Sequence, residues 1–110
     1  MAGFAFGEII ICDFPFSDGI QSKPRPALIF TSHPDGDLLV ARITSNPREN
    51  EFDVSLKDSA FSNLIFDSVV RVSKLATITT SSAKKKIGTL SVRDKKAVKE
   101  ALHSFVETLI

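Results

Sequence analysis

The stretch Pro26–Thr44, PALIFTSHPDGDLLVARIT, decides the fold. Two runs rich in branched side chains, Pro26–Ser32 and Leu38–Thr44, flank the turn-forming cluster His33-Pro34-Asp35-Gly36-Asp37. Proline pre-sets φ, glycine accepts a left-handed backbone and aspartate bonds its own main chain, so the pattern predicts a β-hairpin. Pro26 cannot donate to a ladder and is expected at the start of its strand or on an edge. Alternation in the second run puts Leu39, Ala41 and Ile43 on one face and Arg42 with Thr44 on the other.

Outward from the hairpin, Glu8–Phe14 (EIIICDF) reads as a strand with Ile9, Ile11 and Asp13 on one face and Ile10, Cys12 and Phe14 on the other. Phe16–Ser22 is a polar, glycine-containing loop. Downstream come a loop at Ser45–Asn50, a short strand at Phe52–Leu56 and one helical turn within Lys57–Phe66. Ser68–Ser73 and Lys74–Thr80 give one strand or a pair. Lys84–Lys86 reads as a solvated basic turn before a short strand at Ile87–Leu90. Ser91-Val92-Arg93-Asp94 resembles a capping box with Asp in place of Glu. Val98, Ala101, Leu102, Phe105, Val106 and Leu109 follow at helical spacing, a stripe that should cover a sheet. Short strands closed by one helix predict a mainly β fold, a small barrel with a C-terminal α-helix, in a single domain over residues 1–110.

The 110 residues are 43% hydrophobic, enough for one core without disulfides or a metal. Cys12 is the sole cysteine, which fits a reducing compartment. The first basic residue is Lys23, so a secretory leader is not expected, and no apolar run nears the roughly 20 residues of a membrane span. A cytoplasmic location follows as the expectation. Fourteen basic and 13 acidic residues give a net charge of +1, which excludes a bulk polyanion binder but not a local basic groove. With no Trp or Tyr but nine Phe, base stacking would fall to Phe or Arg.

The chain holds no phosphate-binding loop, dinucleotide fingerprint or zinc spacing. His33 in its turn and His103 on the helix read as structural or solvated, Cys12 as core filler, and Asp13, Asp18, Asp35 and Asp37 as turn formers. What is left is Lys23-Pro24-Arg25-Pro26 and the end of the Leu38–Thr44 strand. Prolines on both sides stiffen the backbone at Arg25, whose planar fork matches phosphate oxygens. Hairpin pairing could bring Arg25 and Thr44 to one rim. On spacing alone the plainer reading, an edge arginine and a β-favouring threonine, is the stronger.

These same residues resemble the MazF/PemK family of toxin endoribonucleases. Gly7-Glu8-Ile9-Ile10 with Asp13-Phe14-Pro15-Phe16 is similar to the family opening, and Arg25-Pro26-Ala27-Leu28-Ile29 to its arginine-proline strand. Val40-Ala41-Arg42-Ile43-Thr44-Ser45 resembles the strand that ends in its functional threonine. Asp67-Ser68-Val69-Val70-Arg71 with Lys74-Leu75 resembles its later paired strands, and Gly88-Thr89-Leu90-Ser91 leads into the final helix. The resemblance implies an SH3-like barrel of the CcdB/PemK type, usually a homodimer, restrained by a cognate antitoxin. It implies metal-independent cleavage of single-stranded RNA, with no cofactor, the catalytic arginine at Arg25 and the catalytic threonine at Thr44. RNA contacts are implied for Ser17, Asp18, Ser22 and Lys23 in the first long loop; Arg42, which is not a fixed family feature, and Lys74 are further candidates for RNA contact. In this chemistry a ribose 2′-OH attacks the adjacent phosphate and leaves a cyclic phosphate and a 5′-OH. Arg25 would stabilise the phosphorane and Thr44 orient the reacting groups, with the general base unassigned. The chain departs from the family at Ser73 and Lys74, where many members carry an acidic residue and a glutamine, and at Ala76. Two other readings use the same fold: a CcdB-like toxin acting on gyrase, whose contacting tryptophan this chain lacks, and an inactive SH3-like interaction module.

Overall fold

The computed structural model describes residues 3–14, 23–64 and 66–109. Its strands are β1 (Glu8–Phe14), β2 (Lys23–Ser32), β3 (Asp37–Thr44), β4 (Asp53–Ser55), β5 (Val69–Thr79) and β6 (Ala83–Thr89). A helical turn, α1 (Ser59–Ser62), precedes β5, and the helix α2 (Val92–Glu107) ends the fold. The strands form one antiparallel sheet in the order β4-β5-β3-β2-β1-β6. Among the described residues no ladder joins β4 to β6, so the expected barrel is a curled sheet left open between its edges.

The predicted hairpin is β2–β3. His33 N–H donates to the Asp37 carbonyl at 2.8 Å, Asp35 Oδ1 accepts from Asp37 N–H at 3.0 Å, and Gly36 takes a φ of +95° that branched residues avoid. Pro26 departs from expectation. It is the fourth residue of β2, opposite Ile11 of β1. The β2–β3 register starts only at Ala27, so Pro24 and Pro26 lie in a stretch that pairs with β1 alone. There their missing donors break no ladder to β3.

Both faces of the central strands are buried. Ile9, Leu28, Ala41 and Ile43 pack with Val54, Val70, Val72 and Val98 on the face that α2 covers. Ile10, Cys12, Ala27, Ile29, Leu38, Val40 and Ile78 build a second core on the other face. The alternation of β1 and β3 is thus as the sequence indicated. Residues 69–79 form one strand rather than two, and it changes faces midway. Arg71 lies opposite Arg42, yet Leu75 lies opposite Ala41, so Val72, Ser73 and Lys74 are inserted between them. An insertion of odd length reverses the inside–outside pattern. Val70 and Val72 consequently serve the first core and Ile78 the second, although all are even-numbered.

Lys84–Lys86 is not a turn. The turn lies earlier, in a short 3-10 helix at Thr80–Ser82, and the three lysines belong to β6. An edge strand leaves such side chains in water, and charged residues there block further strand pairing. Gly88 of β6 lets α1 close against the sheet, since a Cβ there would stand 2.5 Å from the Ser62 carbonyl oxygen.

Helix α2 starts as its capping sequence indicates, with the Ser91 hydroxyl accepting from Asp94 N–H at 3.1 Å. The Asp94 carboxylate is buried and accepts from Lys57 N–H (3.0 and 3.1 Å) and Asp58 N–H (3.0 Å). Ser91 also bonds Asp58, which takes Arg93 in a fork at 2.7 and 3.3 Å. The helix start therefore holds the segment that leads into α1. The apolar stripe is shorter than expected. Val98 is buried, and Ala101, Leu102 and Phe105 are partly so, Phe105 meeting Phe52 edge-on at 5.3 Å. Val106 and Leu109 are 51% and 64% exposed, lying past the part of the helix that packs on the core.

Candidate functional site

The second core face turns polar at one end of the hairpin. Ala27 and Ile29 of β2 are followed, on the same side of the strand, by Arg25, and Leu38 and Val40 of β3 by Arg42 and Thr44. The β2–β3 register ends at the Ala27–Arg42 pair, and Arg25 and Thr44 lie two residues beyond it, one on each strand. Arg25, Arg42 and Thr44 line one cleft of about 710 Å³. Its opposite wall comes from the segment after α1, through Asn63, Leu64 and Phe66, and from Ile87 of β6. Among the described residues that line it, two are arginines and none is acidic.

Each wall is fixed by a specific contact. Thr44 closes its strand with a small turn in which its Oγ1 accepts from Asn46 N–H at 3.2 Å. A hydroxyl that accepts in this way still has its own hydrogen to give, so Thr44 is set up as a donor toward the cleft. Asn63 adopts a φ of +58°, a left-handed conformation asparagine tolerates, and its amide donates to the Ile87 carbonyl at 2.8 Å. The loop after Thr44 is tied from behind. Arg71 is 4% exposed and pairs with the buried Asp53, and it reaches the Pro47 carbonyl at 3.3 Å and Glu49 at 3.4 Å. Asp53 Oδ2 also accepts from Glu49 N–H at 2.8 Å and Asn50 N–H at 3.3 Å. Ser45 and Asn46 therefore sit between two anchored points.

The cleft brings together Arg25, Arg42 and Thr44. Lys74 is exposed in the inserted segment of β5 and does not line it. Ser17, Asp18 and Ser22 lie outside the described residues, and Lys23 is described only as the first residue of β2. Asn46, Asn63, Phe66 and Ser68 line the cleft without having been singled out from the sequence. Asn46 was within reach, two residues after Thr44. The others arrive from a segment whose path depends on α1. Cys12 is fully buried, and burial, with Asp13 adding to it, pushes its thiol up to about 11, so it stays protonated. Among the described residues no group of three or more His, Cys, Asp or Glu side chains could hold a metal.

Residues 5–106 match the model of a family described as PemK-like, MazF-like toxin of type II toxin-antitoxin system. The chain belongs to this family. A comparison with curated proteins finds no match. Among solved structures, the Mycobacterium tuberculosis toxin MazF-mt6 is similar at 27% identity with a TM-score of 0.73, covering 91% of this chain and 96% of that one. An endoribonuclease in complex with its cognate antitoxin from Mycobacterial species has a TM-score of 0.77 at 17% identity, covering 98% and 99%. A MazE-MazF structure from Deinococcus radiodurans has a TM-score of 0.68 at 18% identity, covering 96% of each chain. The last two carry the likeness of fold alone. For a MazF-like toxin, the matched span takes in every strand and nearly all of α2. No helix among the described residues is long and apolar enough to cross a membrane.

Proposed function

We propose that this MazF-like toxin cuts single-stranded RNA by attack of a ribose 2′-OH on the neighbouring phosphate, without a metal, and that a cognate antitoxin restrains it in the cytoplasm. One observation carries the reading: a single cleft lined by Arg25, Arg42 and Thr44, with no acidic residue among its described lining. Two guanidiniums in one cleft suit a phosphate that gains charge as the phosphorane forms. Arg25 is the charge stabiliser, because a guanidinium stays protonated and presents a fork to two oxygens. Thr44 donates its hydroxyl hydrogen to a phosphoryl oxygen, while one of its two lone pairs serves Asn46. Arg42 holds an adjoining phosphate. The names of the similar structures, an endoribonuclease with its antitoxin and MazE-MazF pairs, agree with this reading.

The test is purified protein with a single-stranded RNA in EDTA. Cleavage that leaves a 2′,3′-cyclic phosphate and a 5′-OH is expected, and a single 2′-deoxy substitution at the cut should stop it. Cutting of the deoxy substrate would remove the 2′-OH from the mechanism.

A further inference from the structure

The Arg25–Thr44 cleft does not end at Thr44. Ser45, Asn46 and Ser68 line it and also line a second groove of about 460 Å³, so the two adjoin at these residues. The second groove carries Arg48 and Lys57 against one carboxylate, Asp67. Arg48 is held in place by the carbonyls of Asn50 at 3.3 Å and Glu51 at 3.1 Å. Lys57 is held by its backbone on the buried Asp94 carboxylate, and its side chain stays exposed.

Phe66 lines the first cleft beside Ser68, which both grooves share, and it is 70% exposed. It packs with neither core. Its carbonyl accepts from the Ser68 hydroxyl at 2.8 Å. An aromatic face exposed to water in a cationic cleft is what a nucleobase stacks on.

We propose that Phe66 is the stacking platform for a base next to the cut. The RNA strand then crosses the Ser45–Asn46–Ser68 saddle and sets a following phosphate at Lys57. The proposal rests on the ribonuclease reading and deepens it by naming a determinant of substrate binding.

The chain has no tryptophan, so a Phe66→Trp variant carries one indole as its sole such reporter. The probes are fluorescently labelled 2′-O-methyl octanucleotides of A, C or U, which lack the attacking hydroxyl. Phe66→Ala should weaken their binding roughly ten- to a hundredfold, and raise KM on RNA more than it lowers kcat. Its melting should be unchanged, because the ring is exposed. Phe66→Trp should bind at least as well, with its fluorescence quenched on binding. Lys57→Gln should reduce the slope of log Kd against log salt by about 0.7. If the wild type cuts RNA while Phe66→Ala binds as well as it does and the indole is not quenched, the proposal is overturned and the ribonuclease reading stands. If Phe66→Ala loses only a poly-glutamate peptide and keeps RNA, the ring is a protein contact and the proposal is likewise overturned. A wild type that neither binds these oligonucleotides nor cuts RNA removes both.

Discussion

Arg25 and Thr44 differ in what their loss should reveal. Arg25→Ala removes the charge proposed to meet the phosphorane and should lower kcat on the order of 10²- to 10³-fold. Arg25→Lys should recover little, because a point charge cannot make the fork. Thr44→Ser keeps the donor and should retain most activity, whereas Thr44→Ala should not; single-turnover cleavage of a short RNA separates the four. Arg71 needs a different measurement. It and Asp53 form a buried pair behind the loop that follows Thr44, with Asp53 Oδ1 buried and unbonded. Arg71→Ala strands a buried carboxylate and should cost about 3–5 kcal/mol in a denaturant melt. Cys12, buried and pushed up to about 11, should resist a thiol reagent at neutral pH until the protein is unfolded. Arg25 and Thr44 stood out as candidates because each sits in a contiguous stretch that resembles the family. The sequence was silent on Asp53 and Arg71, since a charge inside a strand signals burial only once its partner is known.

Among the elements, the start of α2 links the helix to the cleft. Asp58 is held below the usual carboxylate range by the hydrogen bonds of Arg93 first and Ser91 second. A carboxyl lowered by folding adds stability above its unfolded pKa of about 4, and that stability is lost as pH falls through the lower folded value. Wild-type stability should therefore drop across this acid window, and Asp58→Asn should be less stable at pH 7 with a shallower drop, as urea melts from pH 7 to 3 would show. The strands were legible from alternation and turn chemistry, and the last helix from its cap and stripe. Three things were not. Pro26 sits inside a strand because β3 does not pair with that stretch. Lys84–Lys86 forms strand because an edge tolerates lysine. The face change in β5 needs a three-residue insertion that depends on its pairing with β3 and leaves no local mark.

At the scale of the whole molecule, exposed apolar side chains predict a second copy. Phe61, Leu75 and Val106 are 58%, 37% and 51% exposed. A homodimer that covers part of this surface is expected, and sedimentation at micromolar concentration should show it; a pure monomer would count against it. The order of the sheet has another consequence. Strand β1, near the start of the chain, takes β6 as its partner, with Glu8 opposite Thr89. Ile87 of that same β6 lines the cleft and holds Asn63. One wall of the cleft thus waits for β6, the last of the six strands, and α2, which fixes the segment before α1, comes later still. A toxin whose β6 and α2 are still inside the ribosome is therefore unarmed.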